Sequence, residues 1–472
     1  MSILRNILLK VIILSNFFFI IGCLNEDFTN NPNDKLIFST DTINFGTVFS
    51  NTSSTTKKLM VYNKNDKAIK IDNISILNGN NTGFRINVDG IKGETFNDVE
   101  ISSRDSLFVF IEMTPKENLS DNAVNITDII SFSCNNSIYN IRLNAYSQDI
   151  VMMKGVRIDE HSVIVSRKPI LIYDSLYIAK DVELEISAGT KLFMHDKAAI
   201  IVDGTLYCNG TIDNPIIICG ERSDSLLSGI SYSDLPGQWK GIVFNESSNN
   251  NVFICTNIKG MSNGIELYSI NPEKRKIQII NSQIGISYSN LITAVNSKID
   301  AYNSVFYCAQ SSILNIIGGY LNFVHCTIAN NYSFGSIKNS VVYISDYIDK
   351  GDKIDNYSVE LAQFSNSIIW GKRENEILIN SFSSENKISN YQFAYSLLKT
   401  PQTTDSHFPN NIYNENPLFE KTTSDYSFDF RLSSDSPAIG KAWNFGNQDC
   451  KYDIFGNLRD MFYDIGAYQY HK

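Results

Sequence analysis

The chain has 472 residues, of which 40 are Lys or Arg and 50 are Asp or Glu, giving a formal net charge of −10. No cluster of basic residues interrupts this acidic balance. The sequence therefore predicts no nucleic-acid partner, because a phosphate backbone is bound by grouped Lys and Arg side chains. The cysteines form no CxxC pair and no Cys–His spacing typical of zinc. We expect no metal and no cofactor.

Residues 1–22 predict a signal peptide. Arg5 and Lys10 flank an apolar stretch, residues 7–21, that is too short to span a bilayer comfortably. It ends Ile20-Ile21-Gly22-Cys23, which resembles a bacterial lipobox, where a small residue precedes the cysteine that is acylated. The resemblance implies lipidation of Cys23, the membrane as a partner through the lipid anchor, and an outer-membrane location facing the cell surface. An orientation toward the periplasm stays open. Residues 23–35 are polar and rich in Asn, which favours a flexible tether.

Residues 36–148 predict an Ig-like β-sandwich. Short runs of alternating apolar and polar residues, such as 58–62 and 107–113, are separated by Asn, Gly, Asp and Ser turns. The stretch Ile43-Asn-Phe-Gly-Thr-Val48 resembles the first strand of Ig-like modules that carry a Phe-Gly-x-Val signature. The resemblance implies a role in spacing and adhesion, without catalysis.

Residues 149–472 predict a right-handed parallel β-helix, so the predicted fold class is all-β. A hexapeptide recurs every 22 residues as Lys276-Ile-Gln-Ile-Ile-Asn281, Lys298-Ile-Asp-Ala-Tyr-Asn303 and Tyr320-Leu-Asn-Phe-Val-His325. Its second and fourth residues are apolar, whereas its first and third are polar or aromatic, as in a strand with one buried face. A single coil cannot bury that face, so the core must come from stacked coils. The Trp239-Lys-Gly turn and the shorter coils before it resemble the opening of bacterial right-handed parallel β-helix proteins.

The outward residues of these coils are the candidate glycan-binding residues. Stacking aligns them in ladders spaced by about 4.8 Å: Lys276, Lys298 and Tyr320 beside Gln278, Asp300 and Asn322, with Tyr302 one position further along. Aromatic faces pack on pyranose rings, and amide and carboxylate groups bind sugar hydroxyls. The alternative, that these residues are polar only because they face water, stays open. We also expect an excursion from the stack at residues 343–362, which would wall a groove.

From about residue 416 the chain resembles the closing segment of bacterial surface lipoproteins with β-helix repeats. The resemblance rests on Asn416-Pro-Leu-Phe419, Ser436-Pro-Ala438 and Asp464-Ile-Gly-Ala-Tyr468. We expect a structural cap, because the last coil would otherwise expose an unpaired strand edge and an apolar interior. Asp453, Arg459 and Asp464 would hold this cap by pairing and hydrogen bonding. A calcium or catalytic role for the two carboxylates is disfavoured, because Arg459 would compete with a cation.

The sequence shows no catalytic constellation. The paired carboxylates of glycosidases and the Asp clusters of lyases do not recur at the coil period. His325 has the phase of Asn281 and Asn303, which predicts an inward polar ladder. The remaining histidines have no acidic or nucleophilic partner at a recognisable spacing: His161, His195, His407 and His471.

These observations favour a surface-anchored lipoprotein that binds glycans or mediates adhesion without catalysis, with a polysaccharide as its second partner. Two alternatives stay open. One is a polysaccharide lyase or glycoside hydrolase on the same fold, and the other is a structural component of the cell surface.

Overall fold

The computed structural model describes residues 27–471, except 223–224, 228–229, 386, 423–426, 447–449 and 460–461, and except the side chains of 225–227. Strands make up 52% of the chain and helices 2%, so the fold is all-β. The chain divides into two compact units, with the boundary between Asp149 and Ile150. The predicted signal peptide and Cys23 lie outside the described residues.

The first unit contains ten strands and one short helix within its described residues. The strands are β1 (Leu36–Phe38), β2 (Thr42–Phe49), β3 (Lys57–Asn63), β4 (Ile69–Ile76), β5 (Phe84–Val88), β6 (Ile91–Gly93), β7 (Thr95–Ile101), β8 (Ser106–Met113), β9 (Val124–Cys134) and β10 (Ser137–Gln148), and the helix is α1 (Gly79–Thr82).

These strands form two five-stranded sheets, in the orders β1-β3-β8-β5-β6 and β2-β10-β9-β4-β7. Pairing is antiparallel except between β2 and β10. Alternate residues of β8, among them Leu107, Val109 and Ile111, are buried in one apolar core, whereas Phe108 and Phe110 face outward. The period of two in the sequence therefore sets which side of each sheet is buried.

The second unit begins with β11. Its strands are β11 (Val151–Ile158), β12 (Ser162–Ile164), β13 (Ile170–Ile178), β14 (Glu183–Ser187), β15 (Lys191–Met194), β16 (Ala199–Val202), β17 (Thr205–Asn209), β18 (Ile216–Gly220), β19 (Ser225–Leu227), β20 (Ile230–Ser231), β21 (Trp239–Phe244), β22 (Asn251–Ile254), β23 (Thr256–Tyr268), β24 (Arg275–Ile280), β25 (Gln283–Ser287), β26 (Ile292–Val295), β27 (Lys298–Tyr302), β28 (Val305–Ala309), β29 (Leu314–Ile317), β30 (Gly319–Val324), β31 (Thr327–Ala329), β32 (Val342–Ser345), β33 (Tyr347–Asp349), β34 (Ile354–Asn356), β35 (Val359–Ser365), β36 (Ile368–Trp370), β37 (Ile377–Asn380), β38 (Tyr391–Ala394), β39 (Leu397–Leu398), β40 (Ile412–Tyr413), β41 (Phe419–Lys421) and β42 (Asp429–Leu432), and a 3-10 helix spans Tyr232–Asp234.

Most of these strands pair in parallel with a strand one turn of the chain earlier or later. Among the described residues, 17 strands form one sheet and nine form another, β12-β14-β17-β22-β24-β27-β30-β35-β38. In the nine-stranded sheet Ile277 pairs with Ile299, and Ile299 pairs with Leu321. All three side chains are at most 1% exposed. Residues that are 22 apart in sequence thus stack in one core, as the hexapeptide repeat predicts.

One corner of the stack repeats from turn to turn. Six residues there have a left-handed backbone, with φ between 45° and 51°: Cys255, Asn281, Asn303, His325, Asn366 and Tyr395. Asn adopts this conformation more readily than most residues, which explains its recurrence. The residue after each of the six is buried, and several of these are serines whose hydroxyl accepts the backbone N–H of the preceding turn at 3.0 to 3.1 Å.

The prediction that His325 and Asn303 belong to an inward polar ladder at this corner was wrong. Asn303 donates its Nδ2 to the Tyr452 carbonyl at 2.9 Å, and His325 lies 6.0 Å from the Tyr463 ring, so both face the segment that follows residue 416. The left-handed turn directs these side chains away from the core and sends the next residue inward. The inward ladder is therefore made of serines such as Ser282 and Ser304.

The described residues of the closing segment, 416–471, lie along the side of the stack, which differs from the predicted cap over its last coil. They bury Val305, Ala329, Ile368 and Leu397, which face outward from four strands of the 17-stranded sheet. At the last strand of the nine-stranded sheet, the Phe408 ring stacks on the buried Phe393 ring, with centroids 5.2 Å apart.

Candidate functional site

Six of the seven predicted glycan-binding residues lie together on the outward face of the nine-stranded sheet. Register pairs Gln278 with Asp300 and Asp300 with Asn322, so that these three form one column. Lys298 pairs with Tyr320 in a second column, and Tyr302 lies in a third. All six side chains are partly exposed. The face thus presents two phenol rings on either side of a column of hydrogen-bonding groups.

Lys276 is the exception, and its assignment to the outward ladder was wrong. A register shift between Arg275 and Ile277 places Arg275 opposite Lys298. Lys276 is instead fully buried, and its Nζ donates to the carbonyl oxygens of Asn245, at 2.8 Å, and of Ser248. Burial lowers the pKa of Lys276 to about 8. A sequence gives no sign of such an irregularity, because the shift changes the face of one residue without changing the repeat length.

The side chains of the face are held by one another. Asn322 donates its Nδ2 to the Tyr302 hydroxyl at 3.1 Å, and Arg275 donates to Gln278 Oε1 at 3.2 Å. The Lys298 ammonium lies 5.3 Å from the centre of the Tyr320 ring. These contacts limit the rotamers of the face, which lowers the entropy that a ligand would have to remove on binding.

Asp300 is the carboxylate at the centre of the face. Burial raises its pKa above the ordinary value, although Lys298 and Arg275 favour the ionised form, as does a hydrogen bond with Asn322. Two cations therefore lie near one partly buried carboxylate. The arrangement suits hydrogen bonding to hydroxyls and leaves positive charge at the edge of the face.

The column is longer than the sequence indicated. Asn322 pairs with Gln363, and Gln363 pairs with Gln392, so five successive strands present an amide or carboxylate at the same position. The hexapeptide repeat missed these two residues because the insertions before β35 and β38 break its period. The excursion expected at residues 343–362 is shorter than predicted, because 343–345 and 359–362 belong to β32 and β35 of the stack. Part of the segment between them is a hairpin of β33 and β34.

An open groove of about 910 Å³ lies beside the start of β24. Three turns of successive coils line it, with Lys180, Asp181, Asn245, Glu246, Ser247, Asn249, Tyr268, Ile270, Asn271 and Lys274. The buried Lys276 ammonium holds the middle turn through the carbonyls of Asn245 and Ser248. Lys274 immediately precedes Arg275, so the groove adjoins the column of Lys298 and Tyr320.

Asp453, Arg459 and Asp464 are all buried in the closing segment. Asp453 accepts the backbone N–H groups of 455, 457 and 469, and Asp464 accepts those of 440 and 470. Arg459 donates to the carbonyls of Asp464 and Gly466 and to Asn303 Oδ1, which belongs to the stack. Each charged group thus binds mainly backbone or amide partners. They fix the segment against the side of the stack.

Two histidines do have acidic partners, contrary to the sequence analysis. His195 Nδ1 lies 2.6 Å from Glu221 Oε1 and its ring stacks on Tyr173 at 4.0 Å. These three residues occupy the same position in successive coils, so a spacing of one coil, not of a few residues, was the informative one. His407 Nδ1 lies 2.5 Å from Asp405 Oδ1.

Among the residues that the structure describes, no three His, Cys, Asp or Glu side chains converge in a way that would hold a metal ion. No described helix has the length and hydropathy needed to cross a membrane. The cysteines at 134, 208, 219, 255, 308, 326 and 450 are all buried, and the described residues contain no disulfide.

No protein-family model matches the chain. No curated protein matches it either. Among the solved structures that resemble parts of it are these two. One is a family 123 glycoside hydrolase from Clostridium perfringens, studied for glycolipid glycan hydrolysis, with 10% identity over 24% of this chain and 25% of that chain and a TM-score of 0.17. The other is a protein of unknown function from Porphyromonas gingivalis W83, with 9% identity over 27% of this chain and 60% of that chain and a TM-score of 0.18. The chain spans a quarter and three fifths of their lengths, and similarity this low supports no conclusion about function.

Proposed function

We propose that this protein binds a glycan, without cleaving it, on the outward face of the nine-stranded sheet. In this proposal the second unit is a right-handed parallel β-helix and the first is an Ig-like β-sandwich. Acylation of Cys23 would anchor both at the outer membrane, facing the cell surface. The lipobox-like Ile20-Ile21-Gly22-Cys23 supports the anchor, and the parallel coil register supports the β-helix.

One observation carries the proposal: the unbroken column Gln278, Asp300, Asn322, Gln363 and Gln392. Five hydrogen-bonding groups at strand spacing, about 4.8 Å apart, form a straight array that an extended polymer can follow. Each amide offers both donors and an acceptor, which is what sugar hydroxyls require. Solvent exposure alone would favour charged side chains, whereas four of the five are amides.

The neighbouring columns add the apolar contact that sugars need. Tyr320 and Tyr302 flank the central column, and an aromatic face packs against the C–H groups of a pyranose. Lys298 and Arg275 lie at the Tyr320 side, so an acidic glycan would gain an attraction that salt screens. The face therefore accommodates a neutral chain and favours an acidic one.

The test begins with a glycan array probed with the full-length protein in detergent, followed by affinity measurement for the strongest binder. Tyr320→Ala removes the stacking ring while leaving the buried residues of its strand in place. We expect binding to weaken by about 1 to 3 kcal/mol with an unchanged melting temperature. Tyr288→Ala is the matched control, since Tyr288 is 56% exposed and lies outside the face. Lys298→Gln should weaken the binding of acidic glycans only, and the loss should be smaller at high salt.

Three results would contradict the proposal. If no glycan binds, a structural role at the cell surface becomes the better explanation. If a glycan binds and Tyr320→Ala and Asn322→Ala leave its affinity unchanged, the binding face lies elsewhere. If the bound glycan is shortened, or a uronate polymer gains the absorbance of an unsaturated product, the protein is a hydrolase or a lyase.

A further inference from the structure

The first unit carries an exposed aromatic pair. Phe108 and Phe110 lie on the outward face of β8 with 41% and 38% of their surface exposed. Their rings are parallel within 6°, with centroids 6.3 Å apart. The Lys58 ammonium lies 4.8 Å from the centre of the Phe108 ring. Folding alone gives no reason to expose two phenyl rings side by side, and such patches mark interaction sites.

A cleft of about 440 Å³ lies next to Phe110. The cleft lies over the neighbouring strands β8, β5 and β6, and the residues that line it include Ile86, Asn87, Lys92 and Gly93. Its volume is within the range of sites for small ligands, about 300 to 1,000 Å³. A concave pocket with an aromatic wall and a few polar groups fits a compact ring better than it fits the broad surface of another protein.

The polar rim of the cleft is held in place before any ligand arrives. Thr56 donates its hydroxyl to Glu112 Oε1 at 2.6 Å, and Arg85 lies 3.5 Å from Glu112 Oε2. Arg85 also donates to the Thr114 hydroxyl at 2.8 Å. The Thr56 hydrogen bond is the main cause of a lowered pKa of Glu112, which keeps this carboxylate ionised as an acceptor. Fixed donors and acceptors at a rim give orientation to a ligand that packs on the floor.

The charges of the rim indicate which ligand fits. Arg85 is opposed by Glu112, and the rim also holds one further cation, Lys92, and one further anion, Glu94. The rim has no net charge, so neither an anion nor a cation gains a long-range attraction. A neutral ligand with an apolar face and several hydroxyls uses all the features of the cleft.

We propose that the first unit contains a second binding site, in which a neutral sugar ring packs against Phe110 and its hydroxyls bind Glu112, Arg85 and Asn87. This site is independent of the face on the second unit, which has cations at its edge. Two sites on one chain would raise the apparent affinity for a polymer that reaches both.

The experiment measures how the full-length protein in detergent is retarded in native gels that contain amylose, mixed-linkage β-glucan, xylan or galactomannan. We expect retardation by at least one of these neutral polymers. Phe110→Ala should weaken it at least tenfold, and Phe108→Ala should weaken it less. Ile138→Ala is the matched control, because Ile138 is 71% exposed on a strand of the other sheet. Tyr320→Ala weakens the face on the second unit, so retardation that this variant keeps comes from the site on the first unit.

Three outcomes would overturn the inference. The first is that none of the four polymers retards the protein. The second is that Tyr320→Ala removes the retardation while both phenylalanine variants keep it. The third is that the phenylalanine variants abolish self-association in sedimentation and leave sugar binding intact, which would make the patch a protein interface. If Phe110→Ala lowers the melting temperature, the retardation of Phe108→Ala and of Asn87→Ala tests the site instead, and both should be retarded less than the wild type.

Discussion

The attachment of the closing segment depends on Asn366, and its contribution can be measured. The Asn366 carboxamide bonds to the backbone of Trp443 in both directions, donating to its carbonyl at 2.7 Å and accepting its N–H at 2.9 Å. It also lies 2.9 Å from His325 Nε2. Asn366→Ala removes these bonds and keeps a left-handed backbone at φ 50°. The bonds to Trp443 are partly shielded from water, so their loss should cost about 2 kcal/mol, or about 1 kcal/mol each.

The matched control is Asn281→Ala, three turns away at the same corner with φ 49°. Among the described residues its carboxamide oxygen has no hydrogen-bond partner, and its side chain bonds to the Cys255 thiol, which is a weak acceptor, so this variant loses mainly the preference of Asn for the left-handed conformation. All three tryptophans of the chain lie in the second unit, so their fluorescence reports the melting of that unit. The second unit spans residues 150–472, so its unfolding entropy is about 0.7 kcal/mol/K, and we expect Asn366→Ala to melt about 3 °C below Asn281→Ala. Equal melting temperatures would refute the assignment of stability to the Trp443 bonds.

The remaining predictions concern the register, the buried lysine and the anchor. Ile299→Asp places a charge in the stacked core and should cost about 4 kcal/mol or more, whereas Lys298→Gln, one residue away, should cost less than about 1 kcal/mol; equal shifts in thermal melts would show a wrong register. Lys276 has a pKa of about 8 in the fold against 10.5 ordinarily, so between those pH values the unfolded chain holds a proton that the folded chain has lost, and stability due to this group rises with pH. The melting temperature of the wild type relative to Lys276→Met should therefore increase from pH 7.5 to 10, and a constant difference would contradict this. Cys23→Ala should leave the protein uncleaved or release it from the membrane fraction. If the mutant is cleaved and still leaves the membrane only with detergent, the lipid anchor is excluded.

The period of the sequence predicted which residues stack, because burial at a strand interior depends on the alternation of single residues. Ile277, Ile299 and Leu321 are buried for that reason. Lys276 shows the limit of the argument. An irregular strand pairing directs its side chain into the core, where two backbone carbonyls accept hydrogen bonds from its ammonium. The sequence around Lys276 does not indicate this irregularity.

Long-range partners escaped the sequence for a different reason. His195 and Glu221 are neighbours only because one coil has 26 residues, and Gln363 joins Asn322 only after an insertion. Neither pair of residues has a short spacing, and neither is separated by the period of 22. Stacking conserves the position within a coil, whereas the number of residues per coil varies freely in the turns.

The two sheets differ in their outward-facing residues, and this difference explains why the closing segment lies along the side of the stack. Outward positions of the 17-stranded sheet carry Val305, Ala329, Ile368 and Leu397, which water would not favour, and the closing segment buries all four. Outward positions of the nine-stranded sheet carry the amides and the tyrosines, and these stay partly exposed. The chain thus covers one outward face and leaves another polar and open, which separates a structural surface from the proposed binding surface. This separation is the reason to look for the ligand on the column from Gln278 to Gln392.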